Sequence, residues 1–136
     1  MIKKIKHIGI AVKDIDRMLS VLKWAFGSRE IARKEFPEQK QISSLVQLGK
    51  DFLELMQPTS SEGAVGKFLD QRGEGLHHIS VLCDDFKQTV EKLEGMGMIL
   101  IRGDLQSTGN IAFVHPRSLH GILIEITDQD SLKEDP

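Results

Sequence analysis

The sequence predicts an α+β fold built from two βαβββ modules in tandem, and three observations carry that prediction. First, the chain aligns with itself without a gap at a shift of 71. His7 falls on His78, Ile8 on Ile79, Ile10 on Val81, Asp14 on Asp85 and Leu22 on Leu93, and Phe52-Leu53-Glu54-Leu55 falls on Leu123-Ile124-Glu125-Ile126. Second, short alternating apolar runs flank one helix-period run in each half. Third, cap and turn residues stand where the period changes.

Taken in order, Ile5–Val12 alternates and is rich in branched residues, as a strand requires. Asp14 is placed to cap a helix whose apolar face is Ile15, Met18, Leu19, Leu22 and Phe26, and Gly27 is placed to end it. Strands follow near Glu30–Glu35, Ile42–Leu48 and Phe52–Gln57, the last two joined by a tight turn at Gly49-Lys50-Asp51. A linker helix over Ser61–Arg72 carries Val65, Phe68 and Leu69. The second module repeats the plan. His78–Cys83 is a strand, and Asp84 or Asp85 caps a helix through Phe86, Val90 and Leu93 that Gly95 and Gly97 end. Strands near Ile99–Arg102, Ile111–His115 and Ile122–Thr127 complete it, one sheet to each module. The stretch Gly103–Asn110 reads as a polar loop, and Ser131–Pro136 as a fraying tail. Residues 1–136 are thus expected to form a single domain, with module 1 at about 4–57, the linker helix at about 58–74, module 2 at about 75–128 and a polar tail at 129–136.

Composition narrows the function. Apolar residues make up 40% and charged residues 28% of the 136, which suits a globular chain rather than a disordered one. Eighteen basic against twenty acidic residues give a net charge of −2, so nothing here answers the phosphates of a nucleic acid or an anionic membrane. No apolar run approaches the roughly 20 residues of a membrane span, and Met1–His7 is too short and too charged for a signal peptide. Cys83 is the only cysteine, which rules out a disulfide or thiolate cage within the chain and points to a reducing, cytoplasmic setting. No phosphate-binding glycine loop and no nucleophile elbow is present.

Four polar residues interrupt apolar strands: His7, Glu54, His78 and Glu125. Successive strand side chains point to opposite faces, so each glutamate, flanked by Leu or Ile, projects away from the face that packs. A single glutamate on a strand is ordinarily just solvated. Two histidines and two glutamates recurring at one offset are a different matter. Facing modules would bring two imidazoles and two carboxylates together, a set that suits a divalent transition metal with positions left open for substrate. His77, His115 and His120 read as structural or surface residues, and Cys83 as a buried, inert thiol.

The paired βαβββ plan with His, Glu, His and Glu at matching positions resembles the vicinal oxygen chelate (glyoxalase/bleomycin-resistance) superfamily. Within it, the chain is most similar to the methylmalonyl-CoA epimerases. The stretches that carry the likeness are His7–Val12, Phe52–Pro58, Gly75–Ile79 and Phe113–Ser118 with Gly121–Glu125, within a span of roughly residues 5–128. The resemblance implies one curved mixed sheet around a metal cleft. It makes His7, His78 and Glu125 metal ligands, with Glu54 in a place that relatives fill with Gln or Glu. It further implies one divalent ion (Zn, Co, Ni, Mn or Fe), an acyl-CoA or similar thioester substrate, and a homodimer.

An enzyme of this kind inverts an α-carbon by removing and returning its proton through an enolate, and Glu125 is the candidate base. Some of these epimerases carry a second catalytic glutamate in the strand before the glycine turn. Alignment through Pro37-Glu38-Gln39 puts Ser43 there, with Glu35 and Glu38 nearby. The alternatives are a glyoxalase-type isomerase or lyase acting on a thiol–2-oxoaldehyde adduct, and a non-catalytic small-molecule-binding relative. Iron-dependent ring cleavage fits less well, because it uses two histidines and one carboxylate rather than four ligands.

Overall fold

A computed structural model describes residues 1–102 and 109–129. The loop expected at Gly103–Asn110, apart from Gly109 and Asn110, and the tail from 130 onward lie outside the described residues. The elements are β1 (Ile2–Ala11), α1 (Ile15–Phe26), β2 (Arg29–Phe36), β3 (Gln41–Leu48), β4 (Asp51–Pro58), α2 (Ala64–Arg72), β5 (Gly75–Cys83), α3 (Phe86–Gly95), β6 (Leu100–Arg102), β7 (Ile111–Val114) and β8 (Ile124–Thr127). The βαβββ plan therefore occurs twice, with α2 between the copies.

The two sheets expected from the residues are one. The strands hydrogen-bond in the order β2-β3-β4-β1-β5-β8-β7-β6. The sheet is mixed, since β1 with β4 and β5 with β8 run parallel while the outer pairs are antiparallel. By compactness, His7–His77 form one unit, and residues 1–6 with the described residues from His78 on form the other, so β1 contributes to both.

In the His7–His77 unit, Ile8, Ile10, Val46, Leu53 and Leu55 turn to one face of the sheet and pack against Ile15, Met18, Leu19 and Leu22 of α1. Asp14 caps α1 by accepting the Arg17 N–H, and Gly27 ends it at φ 69°, a left-handed conformation that costs glycine no Cβ clash. Phe26 departs from expectation. Its spacing fits the apolar face, yet it is 69% exposed and stands outside the cluster that Ile15, Met18, Leu19 and Leu22 form with the strands. On the other face of the sheet, Ala11 and Met56 pack against Val65, Phe68 and Leu69 of α2. That helix starts at Ala64 rather than Ser61, because Ser60 accepts the Glu62 N–H in a turn and the N-cap falls at Gly63. Gly66 lies so close to the Ser60 carbonyl and Ser61 backbone that a Cβ would collide with them.

The unit from His78 on packs Ile79, Val81, Cys83, Val114, Ile124 and Ile126 beneath Phe86 and Leu93 of α3. Of the two candidate caps, Asp85 accepts the Gln88 N–H, while Asp84 pairs with the N-terminal amine. β7 stops at Val114 because Pro116 opens a 3₁₀ turn, Pro116–Leu119, and the His115 N–H turns to the Ile99 carbonyl.

Truncation should separate buried from exposed apolar residues. Leu55→Ala should lower unfolding free energy by about 2–5 kcal/mol, whereas Phe26→Ala should change it by less than about 0.5 kcal/mol, both read from urea denaturation. Equal losses would contradict the packing described for α1.

Candidate metal centre

Glu54 reaches its position through alternation along β4. Leu53 and Leu55 face α1, so Glu54 and Met56 face the opposite way. In the parallel β1–β4 register Gly9 stands beside Glu54, which puts His7, two residues earlier, on the face that carries Glu54. There the His7 Nε2 lies 3.2 Å from the Glu54 Oε1, the two side chains being 8% and 21% exposed. An imidazole and a carboxylate at that separation are donors of the types that a divalent transition metal takes.

Ser43 belongs to the same face, since β3 pairs it with Met56, and it is almost fully buried. Its hydroxyl accepts a hydrogen bond from the Gln41 amide nitrogen at 2.9 Å. Glu35 does not stand in for a missing carboxylate there. It pairs with Ile42, whose side chain packs in the α1 core, so Glu35 projects to the other face. Glu38 is exposed in the 3₁₀ turn Pro37–Gln39. On that face of β2 and β3 the register sets only Phe36, Lys34, Ala32, Gln41, Ser43, Leu45 and Gln47 in the ladder, together with Arg29; none is a carboxylate.

The other unit repeats the pattern with different chemistry. In the parallel β5–β8 register Ser80 stands beside Glu125, as Gly9 stands beside Glu54. The Ser80 hydroxyl donates to Glu125 Oε1 at 2.6 Å. His78, two residues before Ser80, is buried on the same face. Phe113 of β7 is the cross-strand partner of Glu125, and its ring meets the His78 imidazole edge-on, with centroids 6.2 Å apart. Sequence reasoning passed over both Ser80 and Phe113. Ser80 had a signal, being a polar residue between Ile79 and Val81 in step with His78; Phe113 looked like any strand aromatic.

The remaining candidates take structural places. His77 packs edge-on against Phe68 of α2 at 4.8 Å. The His115 Nδ1 accepts the Arg117 N–H at 3.0 Å and so caps the 3₁₀ turn, and His120 closes that turn at φ 55°. Cys83 is buried, and that burial, more than any neighbouring charge, pushes its thiol pKa up. Among the described residues no helix is long and apolar enough to cross a membrane.

With this geometry in place, residues 6–114 match the Glyoxalase/Bleomycin resistance protein/Dioxygenase superfamily. The chain belongs to this superfamily. It is 32% identical to the uncharacterized protein YqjC of Bacillus subtilis (strain 168), over 92% of this chain and 91% of that one. Human mitochondrial methylmalonyl-CoA epimerase is 24% identical over 90% of this chain and 72% of its own length. Among solved structures, a variant of Streptomyces coelicolor methylmalonyl-CoA epimerase in complex with 2-nitronate-propionyl-CoA superposes with a TM-score of 0.81 at 28% identity, covering 93% of this chain and 96% of that one. The two βαβββ copies and the mixed eight-stranded sheet are thus the fold this superfamily member shares with methylmalonyl-CoA epimerases.

A raised, buried thiol should be unreactive. Cys83 should label with a disulfide reagent at least about 100-fold more slowly in the native protein than in urea at pH 8, where the exposed thiol reaches its ordinary acidity. Fast native labelling would contradict the burial.

Proposed function

We propose that the protein is a metal-dependent epimerase of methylmalonyl-CoA or a similar 2-substituted acyl thioester, with His7, Glu54, His78 and Glu125 as its metal ligands and Glu125 as its base. One observation carries the reading. Each βαβββ copy sets a buried histidine and a glutamate on one face of a parallel strand pair, at the same register. His7, Glu54 and His78 supply an imidazole–carboxylate–imidazole group of the kind that could hold a metal ion. Neutral imidazole and ionised carboxylate suit Zn, Co, Ni, Mn or Fe, so the residues fit the ion that the superfamily implies. The likeness to a solved epimerase in complex with an acyl-CoA analogue supports the thioester substrate. The compartment we assign is the cytoplasm, in keeping with the single, buried Cys83, and the assembly is a homodimer.

The ion, when bound, would act as a Lewis acid toward the negative charge that develops on the thioester oxygen as the α-proton leaves. The chain's own residues do the rest. Glu125 accepts that proton at a carboxylate oxygen and returns it. Phe113, the cross-strand partner of Glu125, sets an aromatic ring on the carboxylate's face of the sheet.

Inversion requires that the proton leave from one face of the carbon and return to the other. Ser43 is too weak a base to serve the second face unaided, and no β2 or β3 carboxylate shares its side of the sheet. This favours, as the second reading, a glyoxalase-type isomerase or lyase acting on a thiol–2-oxoaldehyde adduct, in which one base can move a proton between neighbouring carbons.

Solvent deuterium exchange separates the readings. Metal-loaded protein in D2O should incorporate deuterium at the α-carbon of methylmalonyl-CoA with interconversion of the epimers, and Glu125→Gln should lower the rate by about 10²–10⁴-fold. Exchange without inversion would point to one-base chemistry and the second reading. No exchange with any of the five metals would overturn the epimerase.

A further inference from the structure

The two modules hold their glutamates by different means. Glu54 stands beside Gly9, which offers no side chain, and its carboxylate oxygen meets the His7 imidazole. Glu125 stands beside Ser80, which aligns with Gly9 at the shift of 71, and its carboxylate oxygen receives the Ser80 hydroxyl at 2.6 Å. Ser80 has no solvent exposure at all. Its neighbours on the strand, Ile79 and Val81, belong to the apolar core under α3. A buried hydroxyl gains nothing from packing there, and without a partner it would cost stability. Serine is also a poor strand former beside the valine and isoleucine of this segment. Its hydrogen bond to Glu125 is the structural feature that accounts for its presence.

We infer that Ser80 is a positioning residue for Glu125: its hydroxyl holds one carboxylate oxygen and so fixes the rotamer in which the glutamate would meet a bound divalent cation. The inference rests on the metal-centre reading of the proposed function and goes beyond it, because it assigns Ser80 a role. A glutamate has three rotatable bonds, and each left unfixed costs entropy when the carboxylate must meet a cation in one place. A short hydroxyl–carboxylate bond is charge-assisted and removes that freedom at the carboxylate itself. Hydrogen bonds to ligating carboxylates commonly set metal affinity in this way. Glu54 stands beside Gly9 and meets the His7 imidazole instead, so the serine contact is a feature of the Glu125 side.

The test is a double-mutant cycle read by metal affinity. Metal-free wild type, Ser80→Ala, Ser80→Thr, Glu125→Gln and the Ser80→Ala/Glu125→Gln double variant are titrated with Co²⁺ against a chromophoric chelator, and the visible spectrum of each Co²⁺ form is recorded. Ser80→Ala should bind Co²⁺ about tenfold more weakly, with a shifted spectrum. Ser80→Thr, which keeps the hydroxyl, should restore both. The double variant should bind as Glu125→Gln does, since Ser80 acts through that carboxylate alone. Should Ser80→Ala match wild type, or weaken binding equally with and without Glu125, the positioning role is overturned while the metal centre stands. Absence of Co²⁺ binding by wild type would instead overturn the metal centre, and the role of Ser80 with it.

Discussion

Parallel pairing of each module's first and last strands is the constraint on which the rest of the structure depends. β1 with β4, and β5 with β8, share one register: residue 9 beside 54, and residue 80 beside 125. Each pair is covered on one face by its own helix, α1 or α3, which the leucines, isoleucines and valines of the strands require. A slip of one residue would exchange the two faces and bury the glutamates under the helices. The burial that stabilises each module is therefore also what turns His7 and Glu54, and His78 and Glu125, to the opposite side.

Much of this is legible in the sequence because alternation and repetition are both local and periodic. The shift of 71 that aligned His7 with His78 and Glu54 with Glu125 reappears as hydrogen-bond register. Helix caps at Asp14 and Asp85 and the left-handed stop at Gly27 follow from residues within a few positions of them. What escaped the sequence depends on tertiary placement. Phe26 has the right spacing for the α1 face, but spacing alone does not decide which of those residues the strands cover. The continuation of hydrogen bonding through β1, which makes one sheet of two, arises from pairing between distant segments. Glu35 is near the right strand in sequence, and only register shows that it faces α1.

The chemistry of the two modules has diverged on this shared frame. One unit combines an imidazole–carboxylate contact with a neutral Gln41–Ser43 pair on the same face. The other combines a serine-held carboxylate with an aromatic ring against its histidine. A repeat with identical backbone register thus carries different side-chain partners in its two copies. Fold alone decides none of this, because the same architecture serves isomerases, lyases, dioxygenases and binding proteins. The residues on the face opposite the helices do.

The central claim, that His7, Glu54, His78 and Glu125 hold one ion, is tested most directly by X-ray absorption fine structure at the metal edge of the protein loaded with one equivalent of Zn²⁺. The account predicts two imidazole nitrogens and carboxylate oxygens at about 2.0–2.2 Å, with one imidazole lost in either His7→Ala or His78→Ala. A shell made of water or carboxylate oxygens alone, unchanged in both variants, would contradict it.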